Sequence, residues 1–70
     1  MIGRTIIGRV KLSNDKGWGF ITGDDGRDYY FSSSNVDIPS KYLPAGYTVS
    51  FIASTNDRGL CAKNIKLYQG

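Results

Sequence analysis

Glycine and proline punctuate this chain too often for long helices to form: nine glycines and two prolines fall within 70 residues. Between them lie short stretches rich in Val, Ile, Phe, Tyr and Thr, residue types that suit a pleated, half-buried surface. Five such stretches predict strands at about Thr5–Ser13, Trp18–Thr22, Asp28–Ser32, Thr48–Ser54 and Leu60–Leu67. Asn14–Gly17 makes a tight connection between the first two. Asp25-Gly26 supplies a hairpin turn between the second and third, and Asn56–Gly59 the turn between the last two. A long loop, about Ser33 to Tyr47, holds Pro39 and Pro44 and has room for a short helical turn; loops of that length in a compact domain are often functional. With no helix to cover a sheet, the strands must bury their apolar faces against one another. The expected fold is therefore all-β, a sheet closed on itself as a small barrel.

A chain of this length hides only about 60% of its unfolded surface on folding, so residues 1–70 are expected to form a single domain. Its core must hold without staples, because there is one cysteine and no histidine. The missing histidine also removes Ser-His and Cys-His nucleophiles, an imidazole base and His-bearing zinc sites. No catalytic residue, metal ligand or cofactor is expected, and no small-molecule substrate. Cys61 cannot form an internal disulfide and reads as a small buried hydrophobe in a reducing compartment. All six acidic residues are aspartates. Asp24, Asp25 and Asp28 lie in a Gly-flanked stretch and read as turn residues rather than a cation site or a carboxylate pair. No run approaches the roughly 20 apolar residues of a membrane-spanning helix. Met1 to Val10 carries no export signal. A cytoplasmic protein without a membrane partner is the expectation.

The formal charge of +3 is unevenly placed. Arg4, Arg9, Lys11 and Lys16 against Asp15 give +3 over residues 1–21, Arg27 against Asp24, Asp25, Asp28 and Asp37 gives −3 over 22–40, and Lys41, Arg58, Lys63 and Lys66 against Asp57 give +3 over 41–70. Two basic regions flank an acidic one. A polyanion would be drawn to the basic side.

The most informative stretch is Lys16-Gly17-Trp18-Gly19-Phe20-Ile21. Alternate side chains of a strand share a face, so Trp18 and Phe20 point one way and Gly17, Gly19 and Ile21 the other. Two arrangements satisfy that pattern. The rings can fill the barrel, or the glycines can face inward, where a tightly curved sheet needs close approach, and leave the rings outside as a stacking surface. The third strand favours the second arrangement. There Tyr30 shares a face with Asp28 and Ser32, so pairing it beside Trp18 and Phe20 yields three rings with a polar margin. Lys11 alternates with Val10 and Leu12 and can join that outer face. The interior is left with Val10, Ile21, Phe31, Val49, Phe51, Ala62 and Ile65. Rings interleaved with cations suit single-stranded nucleic acid, whose bases stack and whose phosphates need neutralising.

These motifs resemble the cold-shock domain family. Gly8-Arg9-Val10-Lys11 is similar to its opening G-x-V-K, and KGWGFI at 16–21 to its first ribonucleoprotein motif, K-G-F-G-F-I, with Trp18 in place of the first Phe. DYYFSSS at 28–34 falls where the family has D-V-F-V-H-F-S. Leu43, Gly46, Val49 and Phe51 follow L-x-x-G-x-x-V-x-F, and Arg58-Gly59, Ala62 and Asn64-Ile65 resemble R-G-P-x-A-x-N-V. The chain also departs from the pattern. Leu12-Ser13 stands where the family has Trp-Phe, Ser32 and Ser33 replace His and Phe, Leu60 replaces Pro, and Tyr29 replaces Val.

The resemblance implies a five-stranded antiparallel barrel of the OB-fold type, without enzymatic activity, that binds single-stranded RNA or DNA and acts as an RNA chaperone or a modulator of transcription or translation. By residue-wise transfer its nucleic-acid-binding residues are Lys11, Lys16, Trp18, Phe20, Tyr30 and Arg58, with Tyr42 in the long loop as a candidate substitute ring. Tyr29 must find extra interior volume or swing outward. A second reading makes the same face a protein-interaction or self-association surface with weakened nucleic-acid binding, since exposed aromatics also serve as anchors. A homo-oligomer is compatible with the sequence but not implied by it.

Overall fold

The computed structural model describes residues 3–14, 16–37 and 43–68. It contains five strands, β1 (Thr5–Ser13), β2 (Trp18–Gly23), β3 (Asp28–Ser32), β4 (Thr48–Asn56) and β5 (Gly59–Leu67), and one 3-10 turn at Ser33–Asn35. β4 and β5 run further toward their shared turn than the residue types predict, because their ladder continues to Asn56↔Gly59. The 3-10 turn opens the long loop, and the Ser32 hydroxyl caps it by accepting from the Ser34 amide at 3.3 Å.

The strands close in the order β1-β2-β3-β5-β4, with β1 paired to β2 through one half and to β4 through the other. The ring is not antiparallel throughout, since β3 meets β5 in parallel at Tyr30↔Cys61. An odd number of strands cannot alternate direction all the way round a closed ring. One parallel junction is therefore required, and it falls between β3 and β5, which are not consecutive in the chain.

Two irregularities set which residues face inward. In β1 the register steps between Val10 and Leu12, with Val10 opposite Ile21 and Leu12 opposite Phe20, so Lys11 is the extra residue of a β-bulge. The bulge reverses the alternation beyond it. Leu12, which strict alternation would turn inward with Val10, is instead 47% exposed. On β5 the pairs Ser50↔Lys66 and Ile52↔Lys63 leave one extra residue between them, and Asn64 there has φ 52. Asparagine tolerates this left-handed conformation better than most side chains. The extra residue explains how Ala62 and Ile65, an odd number of positions apart, are both fully buried.

All seven residues expected in the interior are buried, and Ile6, Tyr29, Val36, Leu43 and Ala53 join them. Cys61 is a buried free thiol. Tyr29 resolves inward at 3% exposure. Its ring lies 4.9 Å from that of Phe51, and the volume it needs comes from Gly23, where a Cβ would stand 3.1 Å from the Tyr29 ring. Its hydroxyl reaches the rim of the barrel and donates to Asp25 Oδ2 at 2.6 Å. A phenol can thus fill the core while its polar end stays satisfied.

Candidate nucleic-acid interface

The outer face of β2 and β3 carries the rings. Glycine at position 19 makes this possible. A Cβ there would run into the Leu12 carbonyl oxygen and stand 2.8 Å from the Phe31 ring, so the backbone of β2 lies directly against the interior. The flanking Trp18 and Phe20 must therefore point outward, and the arrangement with rings inside the barrel is excluded. Phe20 stands opposite Tyr30, and Trp18 opposite Ser32. The Trp18 and Tyr30 rings are near-parallel at 6.4 Å and 25°. Phe20 meets both edge-on, at 6.2 Å from Trp18 and 5.8 Å from Tyr30. This mutual packing holds three rings in one fixed cluster, with Trp18 36% exposed.

An open groove of about 650 Å³ runs over the cluster, lined by Trp18, Phe20, Asp28, Tyr30, Arg58 and Leu60. Arg58 reaches it from the β4–β5 turn, where the Arg58 amide donates to Asn56 Oδ1 at 2.8 Å. Lys16 lies exposed in the β1–β2 connection, just before Trp18. Asn14 shapes that connection, its Oδ1 accepting from the Lys16 amide at 3.0 Å and from the Trp18 amide at 3.5 Å. Lys11 sits on the same outer face but is not a free cation, since its Nζ is 2.8 Å from Asp28 Oδ2. Tyr42 lies outside the described residues.

Asp28 is not a turn residue. It opens β3, takes Lys11 on one oxygen, and accepts from the Thr22 hydroxyl on the other at 2.9 Å. These two bonds, Lys11 first, hold its carboxyl below the usual carboxylate range. Asp25 does serve the turn, accepting from the Arg27 amide at 3.0 Å. The Tyr29 hydroxyl and then that amide lower its pKa, whereas burial, followed by the bond to Asp25, raises that of Tyr29. Among the described residues no group of three or more His, Cys, Asp or Glu side chains could hold a metal ion, and no helix is long and apolar enough to cross a membrane.

The residue-type reading missed two contributors to this surface. Leu12 is turned out beside Phe20 by the bulge at Lys11, which no local residue preference announces. Leu60 enters the groove from β5, across the one parallel junction.

A five-stranded barrel of this strand order, with rings and cations on one outer face, defines an OB-type binding barrel. Residues 6–68 match the 'Cold-shock' DNA-binding domain family, and the chain belongs to it. It is 43% identical over 60 residues to Cold shock protein 1 of Lactiplantibacillus plantarum, covering 83% of this chain and 91% of that protein. It is 41% identical over 61 residues to Cold shock protein 2 of the same organism, covering 84% and 92%. Among solved structures, Drosophila Unr CSD456 superposes with a TM-score of 0.78 at 20% identity, over 96% of this chain and 28% of that one, which speaks to the fold. Proteins of this family bind single-stranded nucleic acids and are not enzymes.

Proposed function

We propose that the whole chain is one cytoplasmic module that binds unpaired RNA or DNA by stacking bases on Trp18, Phe20 and Tyr30, with Lys16 and Arg58 placed for phosphates. The observation that carries this reading is the ring cluster itself: three aromatic side chains held together on an outer face, along an open groove with a cation at its margin. Such rings accept any base, so sequence preference is weak. Lys11 has a second part. It screens the Asp28 carboxylate, which would otherwise repel a polyanion from the groove, and it exchanges to a phosphate because an exposed pair of this kind is held weakly. A protein of this kind keeps RNA unpaired, as a chaperone or as a modulator of transcription or translation.

Trp18 is the only tryptophan, so its emission reports the site without ambiguity. Titration with oligo-dT is expected to quench it, duplex DNA to do so far less, and the affinity to fall as salt rises. A folded protein whose emission is unchanged at low salt by DNA and RNA oligomers alike would refute the reading.

A further inference from the structure

The outer surface holds a second set of exposed rings, remote from the platform in sequence but linked to it in register. Asp28 pairs with Thr22, Thr22 with Arg9 and Arg9 with Thr48, and the Tyr68 amide donates to the Thr48 carbonyl at 3.0 Å. These residues form one row across β3, β2, β1 and β4 to the residue just past the end of β5, with Asp28 at the platform end and Tyr68 at the other. From Thr22 to Tyr68 is three strand spacings, about 14 Å round the barrel. Tyr68 is 46% exposed, and Tyr47 and Leu67, within two residues of the Thr48–Tyr68 pair, are 48% and 39% exposed.

The part of this path beside the platform, from Thr22 to Arg9, is also grooved. A second groove of about 410 Å³ is lined by Arg9, Val10, Lys11 and Thr22. It adjoins the platform groove at Asp28, which is bonded to both Lys11 and Thr22. Arg9 is exposed and has no acidic partner among the described residues. We infer that a single strand held on the platform continues across β1, past Arg9, to a second stacking station at Tyr68, whose backbone partner Thr48 follows the exposed Tyr47 in the chain. This rests on the function proposed above. The occupant is a nucleic acid rather than a protein because the two ring sets do not merge into one apolar face. The guanidinium of Arg9 and the hydroxyls of Thr22 and Thr48 separate them, giving an order of ring, cation and ring that suits bases linked by phosphates.

The test is oligomer length. Oligo-dT from about 4 to 16 nucleotides, the range a barrel of this kind covers, is titrated against wild type, Tyr68→Ala and Arg9→Ala, with Trp18 emission as readout and thermal melting as the check on folding. On the shortest oligomers that bind, both variants are expected to match wild type. On longer ones Tyr68→Ala loses about five-fold or more in affinity while Tyr68→Phe does not. Arg9→Ala then lowers the slope of log affinity against log salt by about 0.7, and Arg9→Lys restores it. The inference is overturned if Tyr68→Ala follows wild type at every length, or loses the same factor on short and long oligomers. It is equally overturned if Tyr68→Ala alters the sedimentation mass of the free protein and leaves binding unchanged, which would make the patch a self-association surface. Failure of wild type to bind at any length would instead bring down the platform itself.

Discussion

The two faces of the β2–β3 hairpin use the same residue types for opposite ends. Outside, Trp18, Phe20 and Tyr30 pack edge-on and stacked along an open groove, with Trp18 exposed and the other two half-buried. Inside, Tyr29 and Phe31 are 3% exposed, and Tyr29 packs against Phe51. Hydrophobicity does not separate the two sets. What separates them is the room beneath, because Gly19 and Gly23 take up inner positions where a larger side chain would crowd the rings of Phe31 and Tyr29. The outer rings are thus left over from a core that is already full, and free to contact something else.

That contrast breaks most readily from the inside. Phe51→Ala removes a fully buried ring that packs on Tyr29, and such truncations cost about 3–5 kcal/mol. A domain this small has about that much to lose, so equilibrium denaturation is expected to find the variant largely unfolded; a midpoint near that of wild type would show that the inner rings are not the core. Gly19→Ala tests the close approach. The added methyl meets the Leu12 carbonyl and the Phe31 ring, and urea unfolding is expected to show a loss of about 1–3 kcal/mol, whereas an unchanged midpoint would mean that β2 can retreat from the interior at little cost.

The smallest effect concerns the polar end of Tyr29. Tyr29→Phe removes the hydrogen bond to Asp25 and is expected to cost about 1 kcal/mol at neutral pH. The pH dependence gives a sharper signature. Asp25 titrates below its ordinary value in the folded protein, so its contribution is present above about pH 4 and is lost as pH falls through the lowered value. Tyr29 titrates above its ordinary value, so its contribution is present below about pH 10 and is lost as pH rises through the raised one. Stability measured across pH in the Phe variant is expected to show a shallower acid limb and no loss from this residue at the alkaline end. Limbs parallel to those of wild type would mean that the pair carries no linkage.

Much of this was legible in the residues because strand period and turn chemistry agreed. The five strands, the hairpin at Asp25-Gly26 and most of the inward set follow from strand period, Gly placement and apolar content. The outward face of Trp18 and Phe20 followed only once Tyr30, flanked by Asp28 and Ser32, was set beside them. What escaped was whatever breaks alternation or depends on pairing across the barrel. The bulge at Lys11 turns Leu12 outward, and the extra residue at Asn64 realigns Ile65, yet neither disturbs a local propensity. Asp28 read as a turn residue because its neighbours are Asp24, Asp25 and Gly26, but its partners Lys11 and Thr22 come from other strands. The parallel β3–β5 junction is a property of ring closure, which no stretch of sequence displays by itself.

The division between a structural and a binding set of rings can be tested on one variant. Phe20→Ala removes a platform ring, leaves Trp18 as the reporter, and changes a residue outside the buried core. Thermal melting and oligo-dT titration on the same preparation should show a melting midpoint close to that of wild type and an affinity weaker by about 1–3 kcal/mol. A collapsed midpoint, or an affinity equal to that of wild type in a folded variant, would contradict the assignment of the outer rings to nucleic-acid binding.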